Sequence, residues 1–179
     1  AIWIIGSAII VPSDMEIILD NCHLRQEDGC MDNMFRNFKA PETEGHTHEE
    51  QRSNIIIRGR GKAVLDGGIH NGLTQKTAFT DGYPSVTKNN LILFCKVKEL
   101  HGYTMDRDFV LEKFEVKNHR FWAINLIHAQ RGRISEIFLN GQCDCRNQDG
   151  IDLRVGCNNI LIQNISGEVG DDCIALTAL

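Results

Sequence analysis

Three carboxylates in the last third of this 179-residue chain stand where they could share one reaction. Asp149 lies in Asn147-Gln148-Asp149-Gly150-Ile151-Asp152-Leu153, and the pair Asp171-Asp172 in Gly170-Asp171-Asp172-Cys173-Ile174-Ala175-Leu176. Carboxylates held close together repel, so at least one pKa rises. One group can then stay protonated as an acid while another stays ionised as a base. Cleavage of a glycosidic bond needs that division: an acid protonates the leaving oxygen and a base activates water, ~6.5–9.5 Å apart when configuration inverts. Whether the groups meet depends on what the chain builds between them.

The apolar runs are short and rich in β-branched residues: Ile2 to Ile5, Ile9 to Val11, Ile17 to Leu19, Ile55 to Ile57, Leu91 to Phe94, Ile134 to Leu139 and Ile160 to Ile162. Each is bounded by Gly, Asn, Asp or Ser, the punctuation of strands and turns, and no long amphipathic helix is evident. Residues 32–52, which contain Pro41, and residues 70–88, rich in Gly, Thr and Asp, read as loop excursions.

A repeat organises these runs. Trp122-Ala123-Ile124-Asn125-Leu126 aligns with Asp149-Gly150-Ile151-Asp152-Leu153 and with Asp172-Cys173-Ile174-Ala175-Leu176, at offsets of 27 and 23 residues. Asn118, Asn140 and Asn164 suggest a second column. Leucine-rich repeats have a similar period, but their leucine and asparagine framework is missing. A coil of short parallel strands fits better, each rung pairing its backbone with the rungs above and below. Asp149 and the Asp171-Asp172 pair would then sit on neighbouring rungs, roughly 4.8 Å apart along the axis. Asp152, in phase with Asn125 and Ala175, reads as a structural residue on the exposed side of its rung. A β-sandwich is the alternative, and it predicts hairpins at Asn71-Gly72 and Asn140-Gly141.

Composition narrows the function classes. With 19 Lys+Arg against 24 Asp+Glu, the formal charge of −5 gives no long-range attraction for phosphate backbones. No apolar run approaches the ~18–20 residues of a spanning helix, so neither nucleic acid nor membrane is expected as a partner. At 42% hydrophobic residues the chain can fill a core, and its length suits one domain over residues 1–179. Seven cysteines, an odd number, fit reduced thiols and a cytoplasmic protein, with secretion the alternative. Cys143 and Cys145 form a CxC that reads as buried apolar side chains rather than a zinc site. His46-Thr47-His48-Glu49-Glu50 lacks a helical HExxH frame and reads as a solvated loop. The glycines of Gly59-Arg60-Gly61 read as turn glycines. No metal and no cofactor is expected.

The stretch from Asn147 to Leu153, followed by Gly156-Cys157-Asn158-Asn159-Ile160 to Asn164 and by Gly170 to Leu176, resembles the polygalacturonase-type pectinases of glycoside hydrolase family 28. That family's pattern is Asn-Thr-Asp-Gly-Ile-Asp, one coil of strand, then Gly-Asp-Asp-Cys-Ile-Ala. Earlier segments agree more loosely, among them Asn54 to Gly61 leading to Leu65-Asp66-Gly67-Gly68, and Arg120 to Ile124. The resemblance implies an all-β, right-handed parallel β-helix. It also implies inverting hydrolysis of a uronic-acid-containing (pectic) or related polysaccharide. Asp171 would be the general acid, while Asp149 and Asp172 would hold and activate the water. Asn147 would orient the site, and Gln148, where the family most often has Thr, would stand beside the substrate. Trp122 occupies the column of Asp149 and Asp172 and is a candidate sugar-stacking platform or a packed corner aromatic.

The family's Gly-His-Gly and Arg-Ile-Lys motifs are expected after Asp172, and the sequence stops at Leu179. The expectation is a segment of a longer solenoid, or a protomer whose coil ends another chain or a second copy covers, with weak or absent hydrolysis by these residues alone. Two other classes remain open: a calcium-assisted polysaccharide lyase, and a non-catalytic glycan-binding or structural β-helix.

Overall fold

The structure, a computed structural model, describes residues 1–37, 52–69, 91–94, 107–143 and 147–177. Within them the chain forms strands and no helix. In chain order these are β1 (Ile2–Ile5), β2 (Ile9–Ile10), β3 (Met15–Asp20), β4 (His23–Gln26), β5 (Phe35–Arg36), β6 (Ser53–Arg60) and β7 (Val64–Asp66). They continue with β8 (Ile92–Phe94), β9 (Arg107–Lys117), β10 (Ile124–Leu126), β11 (Gln130–Asn140), β12 (Ile151–Leu153), β13 (Asn158–Glu168) and β14 (Ile174–Leu176).

Two sheets share these strands, and the chain alternates between them. One runs β14-β12-β10-β8-β5-β2; the other runs β1-β4-β7-β9-β11-β13, with β3 and β6 joined to it beside β9. Every pairing is parallel, as between β10 and β12 or β11 and β13. Parallel neighbours need a long return connection, and here that return is the strand of the opposite sheet. The result is a parallel β-helix. No antiparallel hairpin of the kind a sandwich requires occurs among the described residues.

Register follows the repeat. Ile92, Ile124, Ile151 and Ile174 form one column of the six-stranded sheet, and Asn125, Asp152 and Ala175 form the next. Side chains alternate across a strand, so Ile124, Leu126 and Ile151 point inward to a core that also holds Leu111, Ile134, Ile137 and Leu139. Asn125 and Asp152 therefore face outward.

The eleven-residue strands β9, β11 and β13 turn two corners without losing their ladder. Asn54, Asp108, Arg131 and Asn159 stand opposite one another by register, and each has φ between 51° and 60°. A second left-handed column, Lys113, Glu136 and Asn164, bends the same strands further on. Asn and Asp tolerate this conformation best. Arg131 adopts it while its guanidinium grips Asp108 through two hydrogen bonds of 2.8 and 2.6 Å.

The proposed asparagine column is thereby corrected. Asn140 stands opposite Lys117 and Glu168, whereas Asn164 belongs to the second corner, so Asn118, Asn140 and Asn164 do not stack. Asparagine recurs because several different corners are left-handed, Asn118 and Asn164 among them. The loop assigned from residue 32 is also shortened. Phe35–Arg36 is a strand between β2 and β8, and Met34 and Phe35 are fully buried. Of the three residues read as turn glycines and their link, Gly61 (φ 66°) does turn the chain, but Gly59 and Arg60 lie inside β6. Gly59 is required there because a Cβ would fall 1.6 Å from the Lys113 carbonyl oxygen. Residues 38–51 and 70–88, the His46 to Glu50 stretch, Cys95 and Cys145 lie outside the described residues; Cys22, Cys30, Cys143, Cys157 and Cys173 form no disulfide among the described residues.

Candidate active site

The tight connections that enter β10, β12 and β14 place the candidate residues. The Ala123 N–H donates to the Asp149 carbonyl at 2.9 Å, and the Gly150 N–H to the Asp172 carbonyl at 2.9 Å. Trp122, Asp149 and Asp172 thus occupy one column on three successive coils. Asp171 lies one residue earlier and accepts the Asn147 N–H through Oδ2 at 3.1 Å. Asn147 presents that N–H from a left-handed corner (φ 55°). The close approach of the two coils needs Gly150, where a Cβ would lie 2.4 Å from Leu139 Cδ1 and 2.6 Å from the Cys173 carbonyl oxygen.

Burial divides the three carboxylates. Asp171 and Asp172 are exposed, whereas Asp149 is 6% exposed and its Oδ1 has no hydrogen-bond partner. Desolvation first, and then the charges of Asp171 and Asp172, push the Asp149 carboxyl up to about 7. Near neutral pH Asp149 is therefore divided between its protonated and ionised forms. In the free protein burial favours the proton on Asp149, while the resemblance gives the acid role to Asp171. Groups coupled this closely exchange a proton as a unit, so the free-protein preference of one member does not by itself assign the donor.

Gln148, expected beside the substrate, is buried instead at 1% exposure. Its Nε2 donates to the His119 carbonyl at 2.6 Å, and its Oε1 accepts the Cys143 N–H at 2.9 Å. Both ends of the amide are thus engaged with backbone, beneath the carboxylates rather than on their surface. His119, with a fully buried ring, lies against the Gln148-Asp149 backbone. Burial lowers its pKa to about 4, so it is neutral at pH 7. Nothing local in the sequence marks His119, because its burial follows from its place under the next coil.

Asp152 also needs correction. It faces outward, as its phase with Asn125 and Ala175 requires, yet it is 1% exposed and its Oδ2 lacks a partner. Burial and then the Asp149 charge raise its pKa to about 8, so it is mainly neutral at pH 7. Trp122 is half-buried and packs on Phe121 with ring centroids 4.6 Å apart, in a cluster separate from the main core. The Arg154 guanidinium lies 4.4 Å from the Trp122 ring centroid. Trp122 precedes β10 and Arg154 follows β12, so the contact joins residues of two successive coils. Among the described residues, no group of three or more His, Cys, Asp or Glu side chains is arranged to hold a metal ion.

Among solved structures, a "putative glycosyl hydrolase" from Parabacteroides merdae ATCC 43184 is similar at a TM-score of 0.46 and 11% identity, over 96% of this chain and 75% of that one. No curated protein matches the chain. The sequence profile described as "Glycosyl hydrolases family 28" matches residues 5–179. With nearly the whole sequence covered by that match and a parallel β-helix beneath it, this chain belongs to glycosyl hydrolases family 28.

Proposed function

We propose that the chain acts on a uronic-acid-containing, pectic or related polysaccharide and hydrolyses its glycosidic bond with inversion. The observation that carries this reading is the meeting of Asp149, Asp171 and Asp172 on two adjacent coils, with the pKa of Asp149 raised to about 7. Family membership supports a glycoside hydrolase with a polysaccharide substrate.

In this reading the exposed Asp171 delivers the trio's proton to the leaving oxygen. Its link to the Asn147 N–H fixes it relative to the other motif. Asp149 and Asp172, stacked through Gly150, hold the water and take up its proton as it attacks. Gln148 and His119 support this geometry from below. A neutral buried histidine adds no charge beneath the carboxylates, and Gln148 ties the backbone of Asp149 to the previous coil.

The test measures reducing ends released from polygalacturonate and a panel of neutral glycans, by the parent chain and by Asp149→Asn, Asp171→Asn and Asp172→Asn. Each substitution is expected to cut the rate at least a hundredfold, roughly the contribution of a positioned acid or base. The anomeric configuration of the first product, read by NMR, is expected to be inverted. Equal activity in Asp171→Asn would remove the reading. Unsaturated products that require calcium would replace it with a lyase.

A further inference from the structure

Arg154 is placed by an aromatic ring rather than by an ion pair. Arg25, Arg58, Arg60, Arg131 and Arg133 each make an ion pair with Asp or Glu. Arg154 makes none among the described residues. Its guanidinium carbon lies 4.4 Å from the Trp122 ring centroid, and Trp122 is itself backed by Phe121. A guanidinium whose carbon sits over an aromatic ring keeps N–H groups that can meet a carboxylate as a fork.

Its surroundings add to this. Arg154 follows β12 directly, and its charge and that of Asp149, three residues before Asp152, both act on the Asp152 carboxyl. Asp152 makes no ion pair with Arg154, and its raised pKa leaves it mainly neutral near pH 7, a poor competitor for the guanidinium. An acidic glycan approaching Asp149, Asp171 and Asp172 meets like charge and needs a cation near the point of cleavage.

We infer that Arg154, held on the face of Trp122, receives an acidic substituent of the glycan and makes this surface selective for a uronate-bearing chain. Trp122 then acts as the platform that holds the guanidinium. This inference rests on the proposed hydrolase reading, because it needs a glycan lying across this sheet.

The test uses Asp171→Asn as a non-cleaving background and isothermal titration with an oligogalacturonate and with its fully methyl-esterified counterpart. Arg154→Gln is expected to weaken binding of the acidic oligosaccharide about tenfold or more, the scale of a lost charge-assisted hydrogen-bond pair, and to leave the ester unchanged. Arg154→Lys is expected to recover part of the loss, and added salt to reduce it. Thermal unfolding of each variant separates lost binding from lost fold, and Trp122→Phe, which keeps an aromatic face, provides a second variant. Equal binding of both oligosaccharides by the parent and Arg154→Gln would overturn the inference. Asp171-dependent cleavage of a neutral glycan, with no binding of the acidic one, would overturn it while leaving the hydrolase reading in place. Failure to bind or cleave any glycan would remove both.

Discussion

The side-chain amide of Gln148 donates to the carbonyl of His119 on the previous coil at 2.6 Å, locking the Asp149 motif to the residue beneath it. The same amide accepts the Cys143 N–H, so one buried side chain satisfies two backbone groups. Gln148→Thr, which introduces the residue the family most often has, is too short to span both. We expect a loss of about 2 kcal/mol from the stranded partners, read as a lower urea midpoint with an unchanged slope. An unchanged midpoint would show that water or a rearranged loop replaces the amide at no cost.

Gly150 lies at a close approach of the two coils that carry the candidate carboxylates. Gly150→Ala must push both the Leu139 side chain and the Cys173 backbone away, and overpacking of this kind costs about 1–3 kcal/mol. Because the displaced backbone follows Asp172 directly, activity is expected to fall further than stability. Wild-type turnover in a folded Gly150→Ala protein would show that the carboxylates do not depend on that contact.

Asp152 sets a pH dependence of known sign. Its pKa is raised from 3.8 to about 8, so between those values the folded chain binds a proton that the unfolded chain has released, and stability falls as pH rises. Asp152→Asn keeps the shape and removes the ionisation. The variant is expected to lose less stability than the parent between pH 5 and 8, a difference on the order of a few kcal/mol by pH 8. Parallel stability curves for the two proteins would refute the assignment.

His119 acts in the opposite direction. Its pKa is lowered from 6.5 to about 4, so the unfolded chain binds the extra proton, and its contribution to stability is lost as pH falls from about 6.5 towards 4. The imidazole resonance of His119 in NMR is expected to stay at its neutral position from pH 8 to about 5. A midpoint near 6.5 would mean that the ring reaches water.

Much of the fold is legible along the chain. The column Ile124, Ile151, Ile174 can be read at offsets of 27 and 23 because every rung must bury the same inward position, and that demand repeats in the sequence itself. The column of Trp122, Asp149 and Asp172 follows from the same alignment. Asparagine gives no such guide, because a left-handed corner needs a residue type but not a rung, and corners of several kinds accept Asn.

Local pattern thus determined the strands, the coil and the pairing of the acidic motifs. The tertiary structure alone decided which polar groups lose water. Gln148 and Asp152 read as accessible positions, yet both are buried, Gln148 by its contact with His119, 29 residues away in the chain. Desolvation is set by everything that packs over a group, and the packing partners come from different coils, so no local spacing encodes it.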